Sequence, residues 1–111
     1  MISLLIVWAS GAHAQGSGQA AVKDLSITDG ATCNEPTAPG TIKYLRNTNK
    51  SKSVVAALRV VRSPSEGKPE TTRVTYTVAP MSDVELGCDR EGGGAPIVVD
   101  VSWEIQSAKY K

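Results

Sequence analysis

Few of the residues that commonly carry out catalysis are present in this chain, and their positions restrict what it can catalyse. Its single histidine is His13, and its two cysteines are Cys33 and Cys88. His13 lies in an N-terminal segment that we expect to be removed, so the remaining chain has no imidazole to act as a general base or as a zinc, copper or haem ligand. The sequence therefore predicts a protein that is not an enzyme and that holds no cofactor and no metal.

Asp89 and Glu91 are the remaining candidates for acid–base chemistry, because two carboxylates at a suitable separation can hydrolyse a glycosidic bond. Together with loop carbonyls they are also oxygen ligands of the kind that Ca²⁺ prefers, but the regular spacing of a calcium-binding loop is missing. The glycines at 92–94 precede a strand and not a helix, so they do not form a phosphate-binding loop. We interpret this stretch as an acidic surface loop.

The N-terminal fourteen residues have the pattern of a secretory signal peptide. An apolar run from Ile2 to Ala9 is followed by Ala12-His13-Ala14, where a signal peptidase would cut, although no Lys or Arg precedes the run. The run is too short to span a bilayer, and the alternative of a buried first element is disfavoured by the Gly-Ser-Gly tract that follows. The prediction is a signal peptide at 1–14, a flexible leader at 15–21 and one domain over 22–111. This predicts a secreted or periplasmic protein without stable membrane insertion.

The two cysteines both fall in the predicted domain, and an even number of cysteines in an exported chain indicates a disulfide. Closing the loop between Cys33 and Cys88 would stabilise the fold by about 4 kcal/mol in the chain-entropy model. A redox-active pair normally has only two residues between its cysteines, and these are far apart. The bond is therefore predicted to be structural.

Alternating apolar and polar residues predict strands throughout the domain, and no stretch has the 3.6-residue period of an amphipathic helix. The first strand is expected to end at an Asp29-Gly30 turn, and the clearest strand runs from Ser53 to Arg62. The predicted strands cover 22–27, 41–47, 53–62, 72–78, 83–88 and 97–106. The predicted fold class is all-β, a single antiparallel β-sandwich of about six to seven strands with one disulfide.

One order of segments resembles bacterial immunoglobulin-like or fibronectin type III-like domains over about 22–107. The segments are Tyr44-Leu45-Arg46-Asn47-Thr48 followed by a strong strand, then Val78-Ala79-Pro80 and Leu86-Gly87-Cys88. Unlike the antibody pattern, Trp103 follows the second cysteine and no tryptophan lies between the two cysteines. The disulfide is therefore expected to tie the 31–40 loop to the end of the strand at Cys88, and not to bridge two sheets. Trp103 is expected in the core.

Charge is unevenly distributed along the chain, positive between Lys43 and Arg62 and mainly negative between Asp83 and Glu104. Pairing of the oppositely charged segments across neighbouring strands is the favoured interpretation, and a polar surface for an anionic partner or for self-association is the alternative. The basic segment has no interleaved aromatic residues apart from Tyr44, which argues against nucleic acid. Asn49-Lys50-Ser51 is a glycosylation sequon that matters only in a eukaryotic source.

Three long loops, at 31–40, 63–69 and 89–96, are the predicted binding surface. Their candidate contact residues are Glu35, Ser65, Glu66, Lys68, Asp89, Arg90 and Glu91. The favoured hypothesis is an exported non-catalytic binding or accessory module that recognises a protein or a glycan, with an enzyme inhibitor as one version that inserts the 63–69 loop. The alternative is a structural or assembly subunit that pairs through an open sheet edge.

Overall fold

The computed structural model describes residues 19–33, 39–92 and 97–111. After a short 3-10 turn at Val22–Asp24, these residues form seven strands. The strands are β1 (Leu25–Thr32), β2 (Thr41–Asn47), β3 (Val54–Pro64), β4 (Glu70–Val78), β5 (Ser82–Cys88), β6 (Arg90–Gly92) and β7 (Val98–Tyr110). Within the described ranges, no helix has the length and apolar character needed to cross a membrane.

The strands form two antiparallel sheets that pack face to face. One sheet has the order β1-β2-β5 and the other the order β4-β3-β7-β6. The buried cluster between them draws Leu25 and Leu45 from the first sheet and Leu58 and Val78 from the second. The prediction of an all-β, antiparallel sandwich with one disulfide is confirmed.

Strand β3 is central, as its two apolar faces predicted. It lies between β4 and β7, and the backbone groups of both its edges are therefore used in ladders. Its inward residues Val54, Ala56, Leu58 and Val60 are all buried. Alternation with a period of two explains this pattern, because every second side chain of a strand points to the same face.

The predicted turn at Asp29-Gly30 is wrong, because β1 continues to Thr32. The register with β2 passes from Asp29 opposite Lys43 to Thr32 opposite Thr41, so β1 carries one extra residue there. This is a β-bulge, and a side chain on Gly30 would collide with the ring of Tyr44. The glycine therefore permits a close approach within the sheet and does not end the strand.

Strand β7 is longer than predicted and reaches Tyr110. Its ladder with β3 shifts register between Ile105 and Ser107, which leaves Gln106 as an extra residue. The bulge changes which residues point inward, from Val101 and Trp103 before it to Ala108 after it. A period-two pattern does not continue through this change, so it does not predict the end of β7. Strand β6 lies inside the predicted 89–96 loop, and its three residues are too few to show an alternating pattern.

The disulfide joins Cys33, directly after β1, to Cys88, the last residue of β5, with 6.2 Å between the Cα atoms. Both cysteines belong to the same side of the sandwich, because β1 and β5 flank β2 in one sheet and Ile42 of β2 lies opposite Cys88. The expectation that the bond ties the first loop to a strand end, and does not bridge the sheets, is confirmed.

Candidate functional site

The described parts of the three loops predicted to bind a partner lie at one end of the sandwich. They connect β1 to β2, β3 to β4, and β5 through β6 to β7. The first and third are joined by Asp89, whose N–H donates to the Thr41 carbonyl (3.0 Å) and whose carboxylate accepts the Thr41 N–H (2.8 Å). The disulfide adds a covalent link at the same place. This part of the loop end is therefore held by covalent and polar contacts.

The 63–69 loop is fixed to the beginning of β7 by Ser65. The Ser65 N–H donates to the Val98 carbonyl (2.7 Å), and the Val98 N–H donates to the Ser65 hydroxyl oxygen (3.1 Å). Beyond this anchor the chain turns at Gly67, whose φ of 114° lies in the region that favours glycine. Glu66 and Lys68, on either side of the glycine, are exposed. The turn thus exposes one acidic and one basic side chain next to a residue that is anchored to β7.

The other candidate contact residues are used within the fold. The Arg90 side chain pairs with Asp100 (3.1 Å), and Glu91 pairs with Arg62 (3.7 Å). Asp89 holds Thr41 and lies 3.8 Å from the Lys43 ammonium. Glu35 lies outside the described residues. Among the described candidates, Glu66 and Lys68 are therefore the charged side chains that form no ion pair with another described residue.

Both acids of the β6 region are engaged by groups of the fold. Asp89 accepts a backbone N–H and faces a lysine, and Glu91 faces an arginine. In the part of the chain that the structure describes, no three His, Cys, Asp or Glu side chains are grouped so that they could hold a metal ion. The geometry gives these two residues a structural use, in joining strands and loops.

The oppositely charged segments pair with each other across strands. Arg46 of β2 lies opposite Asp83 of β5 with their side chains 2.8 Å apart, and Arg59 of β3 lies opposite Glu104 of β7 at 2.7 Å. Directly opposite residues share one face of a sheet, so their charges meet without any other element. The basic and acidic segments thereby neutralise each other on the outer faces of the sandwich.

One edge of the second sheet is only partly paired. Strand β6 covers β7 from Val98 to Asp100, and the Val101 N–H donates to the Asp89 carbonyl (2.8 Å). Further along, the Gln19 side-chain amide donates to the Gln106 carbonyl (3.0 Å) and the Ala21 N–H to the Ala108 carbonyl (3.3 Å). Between these contacts, no strand among the described residues pairs with this edge. We call the run 102–105 the open edge of β7.

The backbone of the open edge has a defined orientation. Alternate residues of a strand direct their N–H and C=O groups to the same neighbour. Since the Val101 N–H points to this side, the backbone groups of Trp103 and Ile105 do so as well, while those of Ser102 and Glu104 are directed to β3. The open edge therefore offers two residues with their hydrogen-bonding groups directed away from the sheet.

A cleft of about 360 Å³ lies beneath the open edge, between the two sheets. Ile27 and Lys43 line it from the first sheet, and Val101, Ser102 and Trp103 from the second, with Asp89 at one end. Ile27 and Trp103 are half-buried, although both pack against the core. The described residues thus leave the sandwich incompletely closed on this side.

Lys43 and two nearby acids set the charge at one end of the cleft. The Lys43 ammonium forms an ion pair with Asp29, and Asp89 is the second acid near it. The hydrogen bond to Asp29 holds the pKa of the Lys43 ammonium above its ordinary value, against the opposing effect of burial, and the charges of Asp29 and Asp89 act in the same direction as the bond. Two carboxylates around one ammonium leave this end of the cleft with a net negative charge.

The opposite end of the sandwich holds a polar cluster that the sequence did not reveal. The Asp24 carboxylate accepts hydrogen bonds from the Tyr110 hydroxyl (2.5 Å) and the Asn49 side-chain amide (3.0 Å), and these bonds lower the Asp24 pKa. Asn47, fully buried, lies within hydrogen-bond distance of three backbone carbonyls and accepts the Asn49 N–H. These side chains fasten the connections between strands.

The sequence predicts a binding surface at the loop end, and that stays a prediction. It does not locate the open edge of β7 or its cleft, because the position of an edge is a property of strand order. Its only sequence signal is Trp103, a large side chain in the last predicted strand. The chain has no significant match among models of protein families, among curated proteins or among solved structures, so the resemblance to immunoglobulin-like domains stays a prediction.

Proposed function

We propose that this chain is an exported, non-catalytic module that recognises a protein or glycan partner through the loop end of its sandwich. The observation that carries the proposal is the anchoring of its described loops by a disulfide, by Asp89 on Thr41 and by Ser65 on Val98. Loops that are fixed before binding lose less conformational entropy when a partner orders them. A rigid scaffold with exposed loops is the usual arrangement of a binding domain.

Export is supported by the residues and by the bond between the cysteines. Disulfides persist in oxidising compartments, and the 1–14 segment has the pattern of a cleaved signal peptide. Cleavage after Ala14 would leave residues 15–111 without any histidine. Together with the paired acids of the β6 region, this supports binding over catalysis.

The turn around Gly67 is the proposed recognition element. Glu66 and Lys68 are exposed, and they carry opposite charges one residue on either side of the glycine. Ser65 holds the turn to β7 on its N-terminal side, and the hairpin of β3 and β4 holds it from below. An inhibitor that inserts this turn into the cleft of a secreted enzyme is one form that the function would take.

The test compares partner capture by matched variants of the exported chain. Glu66→Ala with Lys68→Ala removes the proposed contacts, and Glu85→Ala with Lys109→Ala removes one exposed acid and one exposed base elsewhere. We expect the loop variant to capture at least about tenfold less partner, a loss of about 1.4 kcal/mol of binding free energy, because truncating a key interface residue commonly costs more than about 1 kcal/mol. Equal capture by the two variants would count against the loop end as the recognition surface.

The open edge of β7 favours a second candidate, a structural or assembly subunit that pairs strands with a neighbour. Sizing the exported chain over a range of protein and salt concentrations tests self-assembly directly. A growing particle size at higher protein concentration supports it, whereas a strict monomer under all conditions excludes the version in which the neighbour is another copy.

A further inference from the structure

We propose that the open edge of β7 and the cleft beneath it bind an extended segment of a partner protein, which adds to the sheet as a strand beside Trp103. The inference deepens the second candidate function, edge pairing, and is independent of the loop end. The segment would continue the sheet from the point where β6 stops, at the Asp89–Val101 hydrogen bond.

The backbone of the open edge selects the class of ligand. Trp103 and Ile105 direct their N–H and C=O groups outward at the repeat of a strand, about 6.8 Å for two residues. An extended polypeptide presents complementary groups at the same repeat, and a glycan does not. Strand addition of this kind obtains its affinity from main-chain hydrogen bonds and its specificity from pockets for alternate side chains.

The cleft determines which types of side chain the bound segment should carry. Ile27 and Trp103 are half-buried, whereas Leu25 and Leu45 beside them are at most 8% exposed. One apolar side chain entering between Ile27 and Trp103 would cover the apolar surface that remains open there. At the Val101 end of the cleft, Asp29 and Asp89 exceed the charge of Lys43, so a lysine or arginine at the end of the segment nearest Asp89, beyond the last residue that pairs with β7, would complete the match.

Other occupants fit the same surface less well. The predicted leader residues just before Gln19 are Gln15-Gly16-Ser17-Gly18, which offer no apolar side chain for the cleft. The edge strands of a second copy have their inward side chains, such as Val74 and Tyr76 of β4, packed in their own core. An unpaired segment of another protein has all its side chains free, and it is the occupant that the cleft favours.

The test measures hydrogen exchange of individual backbone amides by NMR on residues 15–111. The probes are the peptide acetyl-Thr-Lys-Thr-Leu-Thr-Val-Thr-amide and the same peptide with its sequence reversed, because the edge can pair in either direction. We expect one of them to slow exchange at Trp103 and Ile105 by at least about tenfold at saturation, a change of the size that a formed hydrogen bond gives. The Ser102 and Glu104 amides, which are directed to β3, should not change.

Three outcomes would overturn the proposal. In the first, neither peptide slows exchange at Trp103 and Ile105. In the second, the two amides are already protected without peptide at every protein concentration, which would assign the edge to the chain's own N-terminal residues. Protection that rises with protein concentration in the absence of peptide would assign the edge to a second copy.

A charge exchange tests the chemistry of the segment with a folded control. Asp29→Lys should weaken binding of the lysine peptide about threefold and strengthen binding of a peptide with glutamate in place of lysine, as expected for a partly exposed ion pair. Asp100→Lys is the control, because the Asp29 and Asp100 side chains are both 68% exposed and Asp100 pairs with Arg90, neither of which lines the cleft. Equal effects of the two variants would refute the match. The loop variant Glu66→Ala with Lys68→Ala should bind the peptide normally, so failure here and failure of the loop end are distinguishable.

Discussion

Arg59 of β3 and Glu104 of β7 lie directly opposite each other, with a guanidinium nitrogen 2.7 Å from a carboxylate oxygen. Their side chains are 47% and 57% exposed, so water and salt screen the attraction. A double-mutant cycle with Arg59→Ala and Glu104→Ala is expected to give a coupling free energy of about 0.5 kcal/mol, measured by urea unfolding. The coupling should shrink at high salt. A coupling that is insensitive to salt would show that the pair is not acting through exposed charges.

Asn47 is expected to be among the most sensitive polar residues of the fold. Its buried amide reaches the carbonyls of Lys52, Val78 and Ala79, and Asn47→Ala would leave these groups short of a donor. The free energy of unfolding should fall by about 2–3 kcal/mol, measured by urea denaturation. Ser51→Ala, at an exposed position of the same connection, is the control and should change stability by less than about 0.5 kcal/mol.

The Asp24–Tyr110 hydrogen bond predicts how stability depends on pH. Because the bond, together with Asn49, lowers the Asp24 pKa below its ordinary 3.8, its contribution is present above that pH and is lost as pH falls through the lowered value. The same bond raises the Tyr110 pKa above 10.0, so the contribution is also lost as pH rises through that raised value. Tyr110→Phe should therefore destabilise the protein at neutral pH and do so less at both extremes.

Urea midpoints across the pH range, for the unmodified chain and for Tyr110→Phe, check this prediction. Lys23→Ala is a suitable control, because Lys23 affects the Asp24 pKa only through its charge and is the smallest contributor to the shift. A stability difference between the unmodified chain and Tyr110→Phe that stays constant from acid to alkaline pH would contradict the coupling of the two groups.

The disulfide should contribute more stability than any single polar contact. It closes a loop with a sequence separation of 55 residues, and Cys33→Ser with Cys88→Ser is expected to lower the free energy of unfolding by about 4 kcal/mol. Calorimetry of the double variant measures the loss. Reduction of the unmodified chain should reproduce it, and a variant that unfolds at the same temperature as the oxidised chain would contradict the prediction.

The sequence predicted those parts of the fold in which a strand is regular and long. Alternation identified β3 through Val54, Ala56 and Leu58, and it placed β2 at the bounds that the structure has. It did not identify the end of β7, because the bulge at Gln106 exchanges the inward and outward positions. Glycine is common in turns, so the local pattern predicts a turn at Gly30, whereas in the structure the close approach of the Tyr44 ring requires the glycine.

The candidate site also has parts that local sequence patterns predict and parts that they do not. Loop positions could be read from proline, glycine and polar residues, so the loop end was predictable. The internal pairs of Arg90 and Glu91 depend on partners on β7 and β3, and the open edge depends on which strand lies beside which. Such relations between distant residues are not visible in local patterns.

Trp103 lines the cleft, and the only other tryptophan, Trp8, belongs to the segment that signal cleavage would remove. The exported chain would then carry a single indole, and its fluorescence would report on one place in the molecule. A half-buried indole emits at shorter wavelength once water is displaced from it. Binding of a segment in the cleft would therefore shift the Trp103 fluorescence maximum to shorter wavelength, and no label would be needed to detect it. Changes at the Gly67 turn, whose residues do not line the cleft, would leave that emission unchanged.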